Sequence, residues 1–310
     1  MALCFIPFFL WVLKAHATSF DPNQQFPQKN IFILAGQSNM AGRGGLIIND
    51  DRTRTQIWDG VVPSASRPNP SVLRLNAKLS WVQAHEPLHA DIDVASVDGV
   101  GPGMAFANAV LADDPSNGPI GLVPCAIGGT NISQWEKGTP LYRHMVKRAR
   151  ASVAADGGTI RALLWYQGES DTILKQDAEV YGRRLERLFQ DIRLDLMSPM
   201  LPIIQVALAS GVGPYVDTVR EAQFGTELLN VRTVDPIGLT VGPDKLHLTT
   251  ESQVQLGEMM ADAFLKFLPK QLSIDSTGTQ TTSSSSSSTI FFFSMMPLIT
   301  IVISTVSLLV

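Results

Sequence analysis

The chain has 310 residues, 45% of them hydrophobic, and sets 24 Lys and Arg against 28 Asp and Glu for a formal net charge of −4. That length suits one large domain or two small ones. Charges of both signs are dispersed without long runs, which excludes the basic footprint of a nucleic-acid-binding protein.

Residues 1–17 form an apolar stretch too short to span a bilayer. It closes on Ala15-His16-Ala17, the small-x-small pattern of secretory cleavage, and reads as a signal peptide. Two features depart from the usual form: no basic residue stands at the extreme start, and Lys14 follows the apolar core. Cleavage would remove Cys4 and leave Cys125 alone. No intrachain disulfide is then possible, and Cys125 reads as a small buried hydrophobe.

From about residue 30 to 269 no linker, repeat or composition break interrupts the chain, which argues for one domain. Apolar runs predict strands at 31–35, 93–97, 120–127, 162–166, 202–208 and 231–234. Helical periodicity falls between them at 103–111, 141–155, 178–196, 216–228 and 252–267. Continuous apolar strands alternating with helices predict an α/β fold, a parallel sheet covered on both faces with right-handed crossovers. The segment 45–88 contains four prolines and no clear period, and reads as an irregular excursion.

Beyond the domain, 270–289 is a Ser/Thr-rich linker, and Ile290 to Val310 is an uncharged apolar run. About twenty such residues can cross a membrane. Ending flush after small residues and a polar spacer, the run also fits a glycosylphosphatidylinositol signal, and no Lys or Arg stop favours a retained helix. Either reading predicts a secretory-pathway protein tethered by its C-terminus at the cell surface.

The chemistry starts at the first strand. Asn30-Ile-Phe-Ile-Leu-Ala35 runs into Gly36-Gln37-Ser38-Asn39, which presents a serine hydroxyl at the carboxyl edge of a sheet, where open α/β folds place their sites. Serine needs a base to become a nucleophile. Five histidines are available. His16 falls in the leader, His85 and His89 flank Pro87 in an aperiodic segment, and His144 belongs to a charged helical face. Only His247 follows an acid at D-x-x-H spacing, in Asp244-Lys245-Leu246-His247 ahead of the last helix. One loop could thus join carboxylate to imidazole; Asp244 could equally only shape a turn.

Two more strand exits carry polar clusters. Gly128-Gly129-Thr130 follows 120–127, and paired glycines let backbone N–H groups approach a ligand, although a plain tight turn reads the same way. Gln167-Gly168-Glu169-Ser170-Asp171 follows Leu163-Leu164-Trp165-Tyr166. Acyl transfer needs a nucleophile, a base, an acid to orient it and oxyanion donors. Ser38, Gly129, Gln167, Asp244 and His247 supply that set. The adjoining sequon, Asn131-Ile132-Ser133, stands beside this expected site.

In these blocks the chain resembles the GDSL-like, or SGNH, hydrolase superfamily, and within it the carbohydrate acetylesterases with a sialate O-acetylesterase domain. Gly36-Gln-Ser-Asn-Met40, Gly128-Gly-Thr130, Trp165-Tyr-Gln-Gly-Glu-Ser-Asp171 and Asp244-Lys-Leu-His-Leu248 match that group, its plant members most. The resemblance implies a flavodoxin-like three-layer α/β/α sandwich with a mostly parallel five-stranded sheet. It implies a serine esterase that hydrolyses acetyl esters of carbohydrates, without metal or organic cofactor. Ser38 would be nucleophile, His247 base and Asp244 its orienter, with the Ser38 and Gly129 amides and the Gln167 side chain as oxyanion donors. The third block lacks the superfamily's Asn, and Gln167 would replace it. Glu169 would either hold His247 in place of Asp244 or bind a sugar hydroxyl. Asn39 would contact substrate, and Trp135 would stack on a sugar ring or serve as a core aromatic. Val100-Gly-Pro-Gly-Met104 resembles a pocket-lining element. A general acyl esterase of the same fold and a catalytically silent carbohydrate-binding surface protein remain as alternatives.

Overall fold

The structure, a computed structural model, describes residues 28–48, 55–154 and 157–268. The expected signal peptide, the Ser/Thr-rich tract and the apolar tail lie outside the described residues. Strand β1 (Asn30–Gly36) is buried from Ile31 onward, as an all-apolar strand between two helical layers must be. It ends in the short helix α1 (Ser38–Ala41). A small hairpin, β2 (Leu46–Ile48) and β3 (Gln56–Trp58), precedes β4 (Val72–Leu75) and β5 (Trp81–Gln83). Then follow α2 (Pro102–Asp113), β6 (Ile120–Pro124), α3 (Pro140–Ala154) and β7 (Thr159–Tyr166). The described chain finishes with α4 (Lys175–Asp195), β8 (Ile203–Val206), α5 (Val216–Phe224), β9 (Val231–Val234) and α6 (Thr250–Leu265).

The main sheet has seven strands in the order β5-β4-β6-β1-β7-β8-β9. All neighbours pair in parallel except β4 with the edge strand β5. Helices cover both faces. On one, Phe32 of β1 meets Phe106 of α2 and Phe264 of α6, each edge-to-face at a centroid distance of 4.9 Å. On the other, Trp165 of β7 meets Phe189 of α4 and the neighbouring Trp135. These large rings supply much of the apolar burial that holds the layers together.

The α/β sandwich expected from the alternating periods is the observed fold, with two corrections. The sheet has seven strands, not five, because the proline-containing segment 45–88 supplies β4 and β5 to it. Strands of three and four residues are too short to show a period, and β4 contains a buried Arg74 that bonds Asp91 at 2.6 Å. The expected strand at 93–97 is instead a series of turns. There the Ile92 and Asp93 amides fold back onto the His89 carbonyl, leaving Val94 77% exposed. Among the described residues no helix is long and apolar enough to cross a membrane.

Candidate active site

The site forms where β1, β6 and β7 end. At Gly36 the chain turns with φ of +131°, and a Cβ there would stand 2.0 Å from the Tyr166 carbonyl oxygen. Only glycine permits that approach. The turn places Ser38 at the start of α1, almost buried but facing a cleft of about 560 Å³. His247 enters from the loop between β9 and α6, and its Nε2 lies 2.8 Å from Ser38 Oγ. Its Nδ1 lies 2.6 Å from Asp244 Oδ2.

The D-x-x-H loop shapes itself. Asp244 Oδ1 accepts the Leu246 and His247 amides at 2.9 and 3.0 Å, while Lys245 takes a left-handed φ of 59°. One carboxylate oxygen therefore fixes the turn and the other fixes the imidazole. Burial pushes the Asp244 pKa up, but the His247 and Leu246 amides and the imidazole outweigh it and hold it below the ordinary carboxylate value. For His247 burial acts downward, Asp244 counters it and Arg43 adds to it, leaving the imidazole below 6.5. It is therefore mostly neutral near pH 7 and able to accept a proton.

Ser38 and Gly129, the latter with φ of +70°, both line this cleft, and among the described residues neither backbone amide has a protein acceptor. The adjacent Gly128 amide donates to Asp93 Oδ2 at 3.1 Å. That same oxygen takes Arg43 Nη2 at 2.5 Å, and Arg43 Nη1 reaches Asp98. Arg43, Asp93 and Asp98 are all buried, so this ion cluster forms a rigid support beneath the glycine turn.

Residues 28–266 match a protein family described as carbohydrate esterase, sialic acid-specific acetylesterase. The chain belongs to this family. It is 56% identical over 240 residues to a probable carbohydrate esterase of Arabidopsis thaliana, covering 77% of this chain and 91% of that one. The X-ray structure of an Arabidopsis protein superposes with a TM-score of 0.74 at 55% identity, covering 77% of this chain and 99% of that one. NanS shares the fold at 18% identity and a TM-score of 0.62, with 78% and 98% covered. Membership makes the chain a carbohydrate acetylesterase of the α/β sandwich type.

The residues singled out in the sequence do not all reach the cleft. Ser38, Gly129, Asp244 and His247 come together as expected. Gln167 does not present its amide there: it is fully buried, and its Nε2 donates to Asp171 Oδ2, the Thr130 carbonyl and Gln37 Oε1 at 2.6, 2.9 and 3.1 Å. Trp135 cannot stack on a sugar, since it is fully buried against Trp165 with its Nε1 on Thr130 Oγ1. Glu169 and Asn39 are also fully buried and bond each other at 2.7 Å, which removes both from substrate contact and Glu169 from the role of acid to His247. Segment 100–104 is buried and opens α2 instead of lining the cleft.

Arg43, Asp93 and the cleft-wall residues Gln37, Gln56, Ser96 and Ser170 escaped the sequence reading. The partners of Arg43 lie 50 and 55 residues away along the chain, so no local spacing announces them. Among the described residues no group of three or more His, Cys, Asp or Glu could hold a metal ion.

Proposed function

We propose that the chain hydrolyses acetyl esters of carbohydrates through an acetyl-enzyme on Ser38. Ser38 Oγ attacks the ester carbonyl carbon while its proton passes to His247 Nε2. Negative charge then gathers on the carbonyl oxygen, within reach of the Ser38 and Gly129 amides. The tetrahedral adduct collapses, the carbon–oxygen bond to the sugar breaks, and the departing oxygen takes the proton from Nε2. A water next attacks the acetyl-serine with His247 again as base, releasing acetate and restoring the hydroxyl. Asp244 holds the imidazole with Nδ1 protonated and Nε2 free, and stabilises the imidazolium at each transfer.

The observation that carries this reading is the unbroken line Ser38 Oγ, His247, Asp244, with contacts of 2.8 and 2.6 Å. The cleft wall favours a carbohydrate over a long acyl chain, because Gln56, Ser96 and Ser170 line it with an amide and hydroxyls that suit sugar oxygens. Hydrolysis of 4-nitrophenyl acetate against longer acyl esters, with labelling by a fluorophosphonate, tests the proposal. Ser38→Ala must abolish both turnover and label. Activity surviving in that variant, or label on another residue, overturns it.

A further inference from the structure

The contacts inside the D-x-x-H loop shape it but do not locate it. Asp244 binds the amides of its own turn, and Gly242 exchanges contacts with Lys245 and His247. None of these joins the loop to the nucleophile, 209 residues earlier. That task falls to the residue next to Ser38. Asn39 Oδ1 accepts the Leu248 amide at 3.0 Å, and its Nδ2 donates to the Leu246 carbonyl at 3.3 Å. One side-chain amide therefore grips the main chain on both sides of His247. Ser210 Oγ reinforces it on the Leu246 carbonyl at 2.5 Å, and Gln253 Nε2 of α6 holds the Asn39 carbonyl at 3.2 Å.

The grip works in only one orientation of the amide. Turned over, it would face oxygen with oxygen at Leu246 and N–H with N–H at Leu248. Glu169 decides the orientation: its Oε1 lies 2.7 Å from Asn39 Nδ2 and is fully enclosed. Its other oxygen is buried with no partner. Burial lifts the Glu169 pKa to about 7, so a neutral acceptor can serve as well as a charged one.

We propose that Asn39 is a positioning residue that sets His247 against Ser38, and that Glu169 fixes the direction of its amide. The proposal rests on the reading of Ser38 and His247 given above. It gives the fourth residue of the Gly-Gln-Ser-Asn block and the buried glutamate a shared task that neither performs on substrate.

Kinetics on 4-nitrophenyl acetate with folded, purified protein test it. Displacing a base by about 1 Å costs roughly a hundredfold in rate. Asn39→Ala should therefore lower kcat by about that factor and leave KM within about threefold. Asn39→Asp should be impaired too, since its oxygens face Glu169 Oε1 and the Leu246 carbonyl. Adding Glu169→Gln to Asn39→Asp puts donor opposite acceptor again, and should recover about tenfold of the lost kcat.

Wild-type kcat in folded Asn39→Ala overturns the inference, as does a double variant no faster than Asn39→Asp alone. If Asn39→Ala fails to fold, the pair of Asp variants decides. Ser38→Ala separates the two levels. Activity there defeats the esterase reading itself, whereas an inert Ser38→Ala beside an unimpaired Asn39→Ala defeats the positioning role alone.

Discussion

The carboxylate of Asp244 meets Nδ1 of His247 at 2.6 Å within a single turn, while Glu169 lies buried against Asn39. Of these two acids, only Asp244 bonds the imidazole. Asp244→Asn should leave the imidazole without its acceptor and lower kcat by roughly 10³- to 10⁴-fold. Glu169→Gln, which keeps an acceptor toward Asn39, should cost about tenfold at most. Turnover of 4-nitrophenyl acetate by the two folded variants checks the ranking, and the reverse order would move the acid to Glu169.

The same pair sets an acidic limb in the pH profile. Only the neutral imidazole can accept the Ser38 proton, and its pKa lies below 6.5. Accordingly kcat/KM should fall as pH drops through a value under 6.5 and stay level above it. Asp244 raises that pKa, so Asp244→Asn should move the limb to still lower pH. A limb centred above 7 in the wild type would contradict the assignment.

Support beneath the glycine turn predicts a different signature. Asp93→Ala frees the Gly128 amide and leaves Arg43 with Asp98 and the Gly42 carbonyl. A displaced oxyanion donor should lower kcat by at least about tenfold with a smaller change in KM. Breaking the buried pair should also cost about 3 kcal/mol of stability, readable by urea denaturation. Unchanged kcat in the folded variant would show that Gly129 is held without Asp93.

Trp135 and Gln167 should behave as structural residues. Trp135→Ala removes a fully enclosed indole and should destabilise by about 3–5 kcal/mol while KM for an acetylated oligosaccharide stays put. Gln167→Ala orphans the buried Thr130 carbonyl and takes one donor each from Asp171 and Gln37, at about 1–3 kcal/mol, or a fall in Tm of roughly 2–12 °C. Isothermal binding and thermal melts separate these outcomes from a loss of sugar affinity.

Stability should decline above neutral pH for a definite reason. Burial raises the carboxyls of Glu86 to about 8 and of Asp98 and Glu169 to about 7. The folded chain thus holds protons that the unfolded chain releases above its ordinary values of 3.8–4.5, so this contribution falls from there and is lost by about pH 8. Below 6.5 the depressed histidines His89 and His247 act in the opposite sense, since unfolding lets them take up protons. Glu86→Gln should flatten the alkaline decline in Tm, and a steeper decline would refute this origin.

The layered fold was legible because long elements declare their period. The apolar runs of β1 and β7 and the five longer helices appear close to where the sequence places them. Strand β4 was not legible, since four residues containing an arginine cannot show alternation, and its sheet position depends on β6. Ser38 was legible at the abrupt change from apolar to polar chain after β1, and the Asp244–His247 loop by its D-x-x-H spacing ahead of the last helix. Trp135 was left open between sugar and core, and Glu169 and Asn39 misled because polarity at a strand exit does not tell an inward side chain from an outward one. Their hydrogen bonds reach 5, 130 and up to 214 residues away, and only the folded chain says which groups meet.

Ser38 and His247 stand 209 residues apart. A ribosome adding about 5–20 residues per second exposes the serine roughly 10–40 s before the histidine. During that interval the nascent chain has β1 and its hydroxyl but no base to activate it. On the proposed mechanism, hydrolysis waits until the last loop docks and α6 packs against α2. The order of synthesis then delays the activity until His247 has been added.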